Sequence, residues 1–186
     1  PERIFATGAA SLARTISPKQ AEQLFSHDSQ QAIDAALAWA AEPGNAILAL
    51  ADAAYPKRLL DTPDPPTVLY AKGRTELLNA PALAIVGSRN ATPQGEANAE
   101  AFATTLANAG LTIVSGLALG IDAAAHRGGL RGKSSTIAVI GTGIDRVYPA
   151  RNQALARDIA TQGCIISEFP LGTQALKENF PRRNRV

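Results

Sequence analysis

Methionine is absent from the 186 residues, cysteine and tryptophan occur once each, and aromatic residues make up only 5%. Each shortage narrows what the chain can be. A single cysteine excludes an internal disulfide, and Cys164, beside Ile165 and Ile166, reads as a buried, inert thiol. No Cys/His cluster has the spacing of metal ligands, so neither a metal nor a cofactor is expected. No apolar run approaches the roughly 20 residues that cross a bilayer. The start, Pro-Glu-Arg-Ile-Phe, lacks the basic and then apolar layout of a signal peptide. The expected location is therefore the cytoplasm, with no membrane partner. The missing methionine also makes the chain look like a piece of a longer one, with both ends artificial.

What is present suits a globular protein: 46% hydrophobic and 18% charged residues, enough for one ordinary domain and a small second one. The formal net charge of +2 is unevenly spread. Lys177, Arg182, Arg183 and Arg185 against Glu178 make the last ten residues +3 and leave −1 for the remainder. Such an ending is either a solvated tail or a segment that meets phosphates.

Residues 1–60 are rich in Ala and Gln, with apolar positions at helical spacing, and read as a small helical domain. One helix is expected over 17–25, with Ser17 as cap and Pro18 at its first position. Another is expected over 29–41, burying Ile33, Ala36, Leu37 and Ala40 before Pro43-Gly44. Trp39 reads as a core or domain contact. Residues 61–80 read as a linker, extended through Asp61-Thr62-Pro63-Asp64-Pro65-Pro66, and then an edge strand at Val68-Leu69-Tyr70. From residue 81 to 186, short apolar runs alternate with Gly/Ser turns and amphipathic stretches, the pattern of βα units. Strands are expected at 83–86, 111–114, 136–140 and 164–166, and helices at 93–109, 121–130 and 149–161, with Gly110 and Gly163 at helix ends. The expected fold is α/β, a Rossmann-like open, mostly parallel sheet with helices on both faces.

Four strand ends then open onto one edge: Gly87-Ser88-Arg89, Ser115-Gly116-Leu117-Ala118-Leu119-Gly120, Gly141-Thr142-Gly143, and Ser167-Glu168-Phe169-Pro170-Leu171-Gly172. Glycines admit close approach to the main chain, and helix N-termini offer N–H groups and positive dipole, so an anion site is expected there. Dinucleotide binding is disfavoured, because Gly141-Thr142-Gly143-Ile144-Asp145-Arg146 carries arginine where a third glycine belongs. The stretch from Arg127 to Ser134 ends like a P-loop but lacks the first glycine and precedes a strand. Asp122 and His126, four apart on one helix face, allow acid–base work in principle. Without a nucleophile beside them, they read better as a pair that shapes the Ser115 loop.

These blocks together carry a resemblance. Tyr55-Pro56-Lys57-Arg58-Leu59-Leu60, Pro65-Pro66, Leu69-Tyr70, Ala84-Ile85-Val86-Gly87-Ser88-Arg89, Ser115-Gly116-Leu117-Ala118-Leu119-Gly120-Ile121-Asp122-Ala123-Ala124-Ala125-His126, Tyr148-Pro149-Ala150-Arg151-Asn152, Ser167-Glu168-Phe169-Pro170-Leu171-Gly172 and Phe180-Pro181-Arg182-Arg183-Asn184-Arg185 are similar to the DNA-processing protein A (DprA/Smf) family. The match runs from about Leu50 to the end, and the preceding helices resemble in kind the family's small sterile-alpha-motif-like domain. The resemblance implies a protein that is not an enzyme, binds single-stranded DNA during natural transformation and loads RecA recombinase. It also implies a homodimer through the Rossmann-like domain in the full-length protein. The family continues beyond Arg185, so the chain is expected to stop within that domain, leaving an open sheet edge and lacking part of the dimer surface. By motif, Arg89, Lys177, Phe180, Arg183 and Asn184 would line the DNA groove. Gly87, Ser88, Ser115, Gly116 and Gly141 would supply close approach and hydrogen bonds to phosphates. Phe180 either stacks on a base or anchors the last segment to the sheet.

The alternative is a Rossmann-like enzyme acting on nucleotides or sugar phosphates, similar in outline to phosphoribohydrolases. Their Pro-Gly-Gly-x-Gly-Thr loop is not found, and Glu168 is the one attractive catalytic carboxylate. A third reading is a protein adaptor whose basic end binds an acidic partner.

Overall fold

The computed structural model describes residues 6–25 and 28–186; the opening residues 1–5, where a signal peptide would begin, lie outside the described residues. The chain divides into two compact units, 1–38 and 39–186. Residues 39–60, expected with the helical part, therefore pack with the α/β unit.

The first unit holds α1 (Ala9–Leu12), α2 (Pro18–Phe25) and most of α3 (Asp28–Ala40). The expected cap at Ser17 forms: its Oγ accepts the Gln20 N–H at 3.2 Å, and Gln20 Oε1 accepts the Ser17 N–H at 3.1 Å, a reciprocal capping box. The apolar stripe on α3 does not behave as its spacing suggests. Ala36 is buried, but Ile33 is 47% and Leu37 61% exposed. A stripe is buried only where another face meets it, and no described residue of this unit covers those two side chains.

The second unit is a six-stranded sheet: β1 (Asn45–Ala49), β2 (Val68–Gly73), β3 (Ala82–Ala84), β4 (Thr112–Ser115), β5 (Thr136–Val139) and β6 (Cys164–Ser167), in spatial order β1-β2-β6-β5-β4-β3. β3 to β6 pair in parallel, while β2 runs antiparallel to both β1 and β6, with Ile47 opposite Tyr70 and Tyr70 opposite Ser167. β2 is thus an inner strand, not the edge expected. Its outer neighbour β1 comes from Asn-Ala-Ile-Leu-Ala, a run with little strand propensity that exists through its pairing.

α4 (Pro93–Asn108), α5 (Ile121–Arg131) and α6 (Gln153–Gln162) connect the parallel strands, and α7 (Asn179–Arg183) closes the chain. Thr92 caps α4, accepting the Gly95 N–H at 3.1 Å, and Gly110, at φ +100°, ends it. Burial follows the period of two. Ile137, Val139, Cys164 and Ile166 join Leu48, Leu59 and Leu69 on one face, whereas Ala138, Ile140 and Ile165 join Ala156 and Ile159 on the other. Trp39 stands edge-on to Tyr70, 5.8 Å between ring centres. β3 is the exception to coverage on both faces: all three residues are exposed, and Val86 just beyond it is 71% exposed. Among the described residues no helix is long and apolar enough to cross a membrane.

Candidate functional site

The carboxyl ends of β3, β4, β5 and β6 form one edge, and the loop after β4 is its most tightly held part. Ser115 Oγ donates to the Ile85 carbonyl at 2.7 Å and ties β4 to the end of β3. Asp122, in the first turn of α5, accepts the Gly116 and Ala118 N–H groups at 3.1 and 3.3 Å on one oxygen. One turn on, His126 Nε2 accepts the Leu117 N–H at 3.3 Å. Its Nδ1 lies 2.8 Å from Thr136 Oγ1, whose own proton is donated to the Ile113 carbonyl at 2.7 Å. The hydroxyl can only accept from the ring, so Nδ1 carries the proton and the imidazole is neutral. Full burial, helped by the Arg183 charge, pushes its pKa down to about 3. Asn152 donates to the Leu117 and Ala118 carbonyls at 2.9 and 3.1 Å. These bonds hold buried Leu117 at φ +59°, a left-handed conformation that a branched residue adopts only when its surroundings impose it.

Asp122 and His126 therefore shape the loop, the role their spacing favoured. The same bonds correct the expectation of an N–H cradle at this loop. The donors of Gly116, Leu117 and Ala118 point at internal acceptors and are not offered to an anion.

The terminal segment docks on this loop. Asn179 donates to the Gly141 carbonyl at 3.1 Å, and the Phe180 ring lies against Gly141. Arg183, only 7% exposed, inserts its guanidinium between strand ends. Its Nη1 donates to the Gly116 carbonyl at 2.7 Å and also to that of Val139, and its Nε donates to Asn184 Oδ1 at 3.0 Å. A Cβ at Gly116 would overlap the guanidinium, so only glycine admits Arg183 there. Burial draws the Arg183 pKa below its ordinary value, and Asp122 opposes the shift.

The other terminal arginines are also engaged. Glu168, at the end of β6, receives Arg185 at 2.5 Å and Arg182 at 3.4 Å, and Arg185 reaches Asp64 at 3.2 Å. The carboxylate that an enzyme would use is thus a clamp on the basic segment. The Arg-Arg-Asn-Arg run is thus divided: Arg183 is buried and Arg185 half-buried, while Arg182 and Asn184 stay exposed.

Further exposed cations and donors lie outside this run. A cleft of about 490 Å³ runs from Gly87 and Arg89 past Ser115 and Gly116 to Arg183 and Asn184. Residues Gly87 to Asn90 are all exposed. Gly87 lies so close to Ile121 that a Cβ would stand 2.8 Å from its side chain. Ser88 accepts the Ile121 N–H on its carbonyl at 3.1 Å and the Asn90 N–H on its Oγ at 3.1 Å. The main-chain N–H groups of Gly87, Ser88 and Arg89 have no partner among the described residues. Arg89 sits over the Phe180 ring, 5.7 Å from its centre, and a smaller cleft of about 70 Å³ lies between Arg89, Tyr148 and Phe180. Lys177 is exposed on the turn before α7, outside the lining of either cleft. The edge thus gathers Gly87, Ser88, Arg89, Ser115, Gly116, Gly141, Phe180, Arg183 and Asn184 and leaves Lys177 to one side. Tyr148, Asn152 and Asn179 were not among the expected site residues; their only signal was membership of, or nearness to, the family's motif blocks.

The family model described as DNA recombination-mediator protein A matches residues 46–186. The chain belongs to that family. It is 39% identical over 169 residues to Protein Smf of Escherichia coli, covering 90% of this chain and 45% of that protein. It is 45% identical over 135 residues to DNA processing protein DprA of Streptococcus pneumoniae, covering 73% and 48%. The crystal structure of the S. pneumoniae DprA superposes with a TM-score of 0.78 at 37% identity, over 91% of this chain and 58% of that one. DNA processing protein A of Helicobacter pylori, whose structure addresses a single-stranded DNA binding mode, gives 0.66 at 34% identity over 75% and 62%. The chain spans about half the length of the curated DprA and Smf relatives it matches. Membership of the DprA/Smf family and the Rossmann-like α/β fold thus stand as the motifs implied.

Proposed function

We propose that this chain is a non-catalytic module that binds single-stranded DNA at the carboxyl edge of its sheet. Its biological setting would be the cytoplasmic uptake of strands in natural transformation, with handover to RecA recombinase. The observation that carries the reading is the exposed Gly87–Arg89 turn, whose three main-chain N–H groups have no partner among the described residues and whose Gly87 and Arg89 line a cleft of about 490 Å³. Those are the donors that hold a phosphate backbone without reading sequence. The single-stranded DNA binding of the H. pylori relative supports the choice of ligand. Lys177, exposed on the turn before α7, would add a second phosphate contact, and the full-length protein would act as a homodimer.

Against the enzyme alternative stand the burial of His126 and the engagement of Glu168 by two arginines. The test is fluorescence anisotropy of labelled poly-dT and an equal-length duplex across a salt series. Poly-dT should bind more tightly. Arg89→Ala should weaken it and make the log–log salt dependence shallower by about 0.7, because one phosphate is no longer neutralised. Equal affinity for both ligands, or an unchanged slope in Arg89→Ala, would refute the site.

A further inference from the structure

Phe180 is the aromatic residue that the family motif brings forward as a base platform, yet the structure gives it other neighbours. Gly141 lies against its ring edge, Arg89 stands over it at 5.7 Å, and the Tyr148 ring meets it tilted, 5.6 Å between centres and 39° between planes. Phe180 is half-buried as the middle of this group, whereas Tyr148 at its outer end is 53% exposed.

Tyr148 is also held in place. Val147 before it packs against the core cluster that contains Ile140 and Ile144, and four residues on Asn152 is bonded to the Leu117 and Ala118 carbonyls. An aromatic ring fixed at its base and open on its outer side loses little conformational freedom when a flat ligand covers it. The small cleft of about 70 Å³ joins this ring to Arg89, the last residue of the turn whose main-chain N–H groups have no partner among the described residues. A cation with main-chain donors, and a free aromatic face one ring away, match the two parts of a nucleotide: a phosphate and an unpaired base.

We infer that Tyr148 is the base-stacking residue of the site, with Phe180 acting as the wedge that spaces it from Arg89. The inference rests on the single-stranded-DNA reading and adds the source of its preference over duplex. A base paired inside a helix cannot present its face to the Tyr148 ring, while any unpaired base can, so stacking there discriminates by strandedness and not by sequence.

The test compares Tyr148→Leu, Tyr148→Phe and the unsubstituted chain on three labelled ligands of equal length: poly-dT, a duplex and an abasic strand. Tyr148→Leu should bind poly-dT roughly ten-fold more weakly, the scale of one base–aromatic stack. Its salt slope, duplex affinity, abasic-strand affinity and thermal midpoint should all be unchanged, and Tyr148→Phe should bind as the unsubstituted chain does. Equal weakening on the abasic strand would mean that Tyr148 only supports the loop, and no weakening on poly-dT would mean that no base rests on it; either overturns the inference alone. Failure of the unsubstituted chain to bind poly-dT would remove the proposed function and this inference together.

Discussion

Replacing Arg183 with methionine separates two roles that the motif alone cannot tell apart. The structure makes Arg183 a clamp, with donations to the Gly116 and Val139 carbonyls and to Asn184. Hydrogen bonds from a charged donor contribute about 1.5–3 kcal/mol each. Methionine keeps the apolar stem, and the two carbonyls lie beside a cleft of about 490 Å³ where water can re-bond them in part. The expected loss is then about 3 kcal/mol, or about 6–12 °C in Tm for a unit of this size. Thermal and urea unfolding followed by circular dichroism would measure it. In the DNA titration the same variant should lower affinity, because the Gly116 loop and α7 are no longer anchored to each other, but leave the salt slope as it was. A Tm within about 2 °C of the unsubstituted chain, joined to a slope shallower by about 0.7, would show that Arg183 meets a phosphate and that the clamp is wrong.

His126 provides a pH test. Its pKa is held at about 3 against an ordinary 6.5, so the unfolded chain binds more protons between those values and stability rises with pH across that window. Its contribution is complete above pH 6.5 and is lost on acidification, about 2 kcal/mol by pH 5. His126→Gln should flatten that dependence in urea titrations at pH 5 and 7, at the cost of a lower stability at pH 7. Cys164 is fully buried with its thiol pushed up to about 12, so alkylation at pH 8 should be negligible in the folded protein and fast in urea. Rapid alkylation without denaturant would contradict its burial. Glu168→Ala should leave partly buried Arg185 without its main partner and destabilise the chain by about 3 kcal/mol in urea unfolding. Glu100→Ala, which removes the α4 carboxylate facing Arg127 and Arg131 at the surface, should cost no more than about 1 kcal/mol by the same measurement.

Much of the α/β unit was legible because its signals are local. β4, β5 and β6 are short apolar runs that end at hydroxyl or glycine residues, and α4 and α5 begin and end within two residues of their expected bounds, since caps and glycines mark those places. β1 was not legible. Asn-Ala-Ile-Leu-Ala has no strand pattern of its own, and because it pairs with β2 it also turns the expected edge strand into an inner one. Ile33 and Leu37 show the converse: helical spacing puts them on one face, but spacing cannot supply a surface to cover it.

At the site, residue types led to the expectation of an anion-binding edge, and the Gly-Ser-Arg turn there carries main-chain N–H groups without a partner among the described residues. Whether a given arginine faces solvent or main-chain carbonyls depends on residues far apart in the chain, such as Arg183 with Gly116 and Val139, and Arg185 with Glu168. Sequence by itself determined the βα order, the bounds of α4 and α5 and the family, because periodicity, capping and contiguous motifs act between near neighbours, whereas α6, expected from 149, begins at Gln153 after a 3-10 turn over Ala150–Asn152. Only the tertiary structure decided which donors remain open. A buried polar group must find a partner wherever the fold offers one, and that partner is chosen in space.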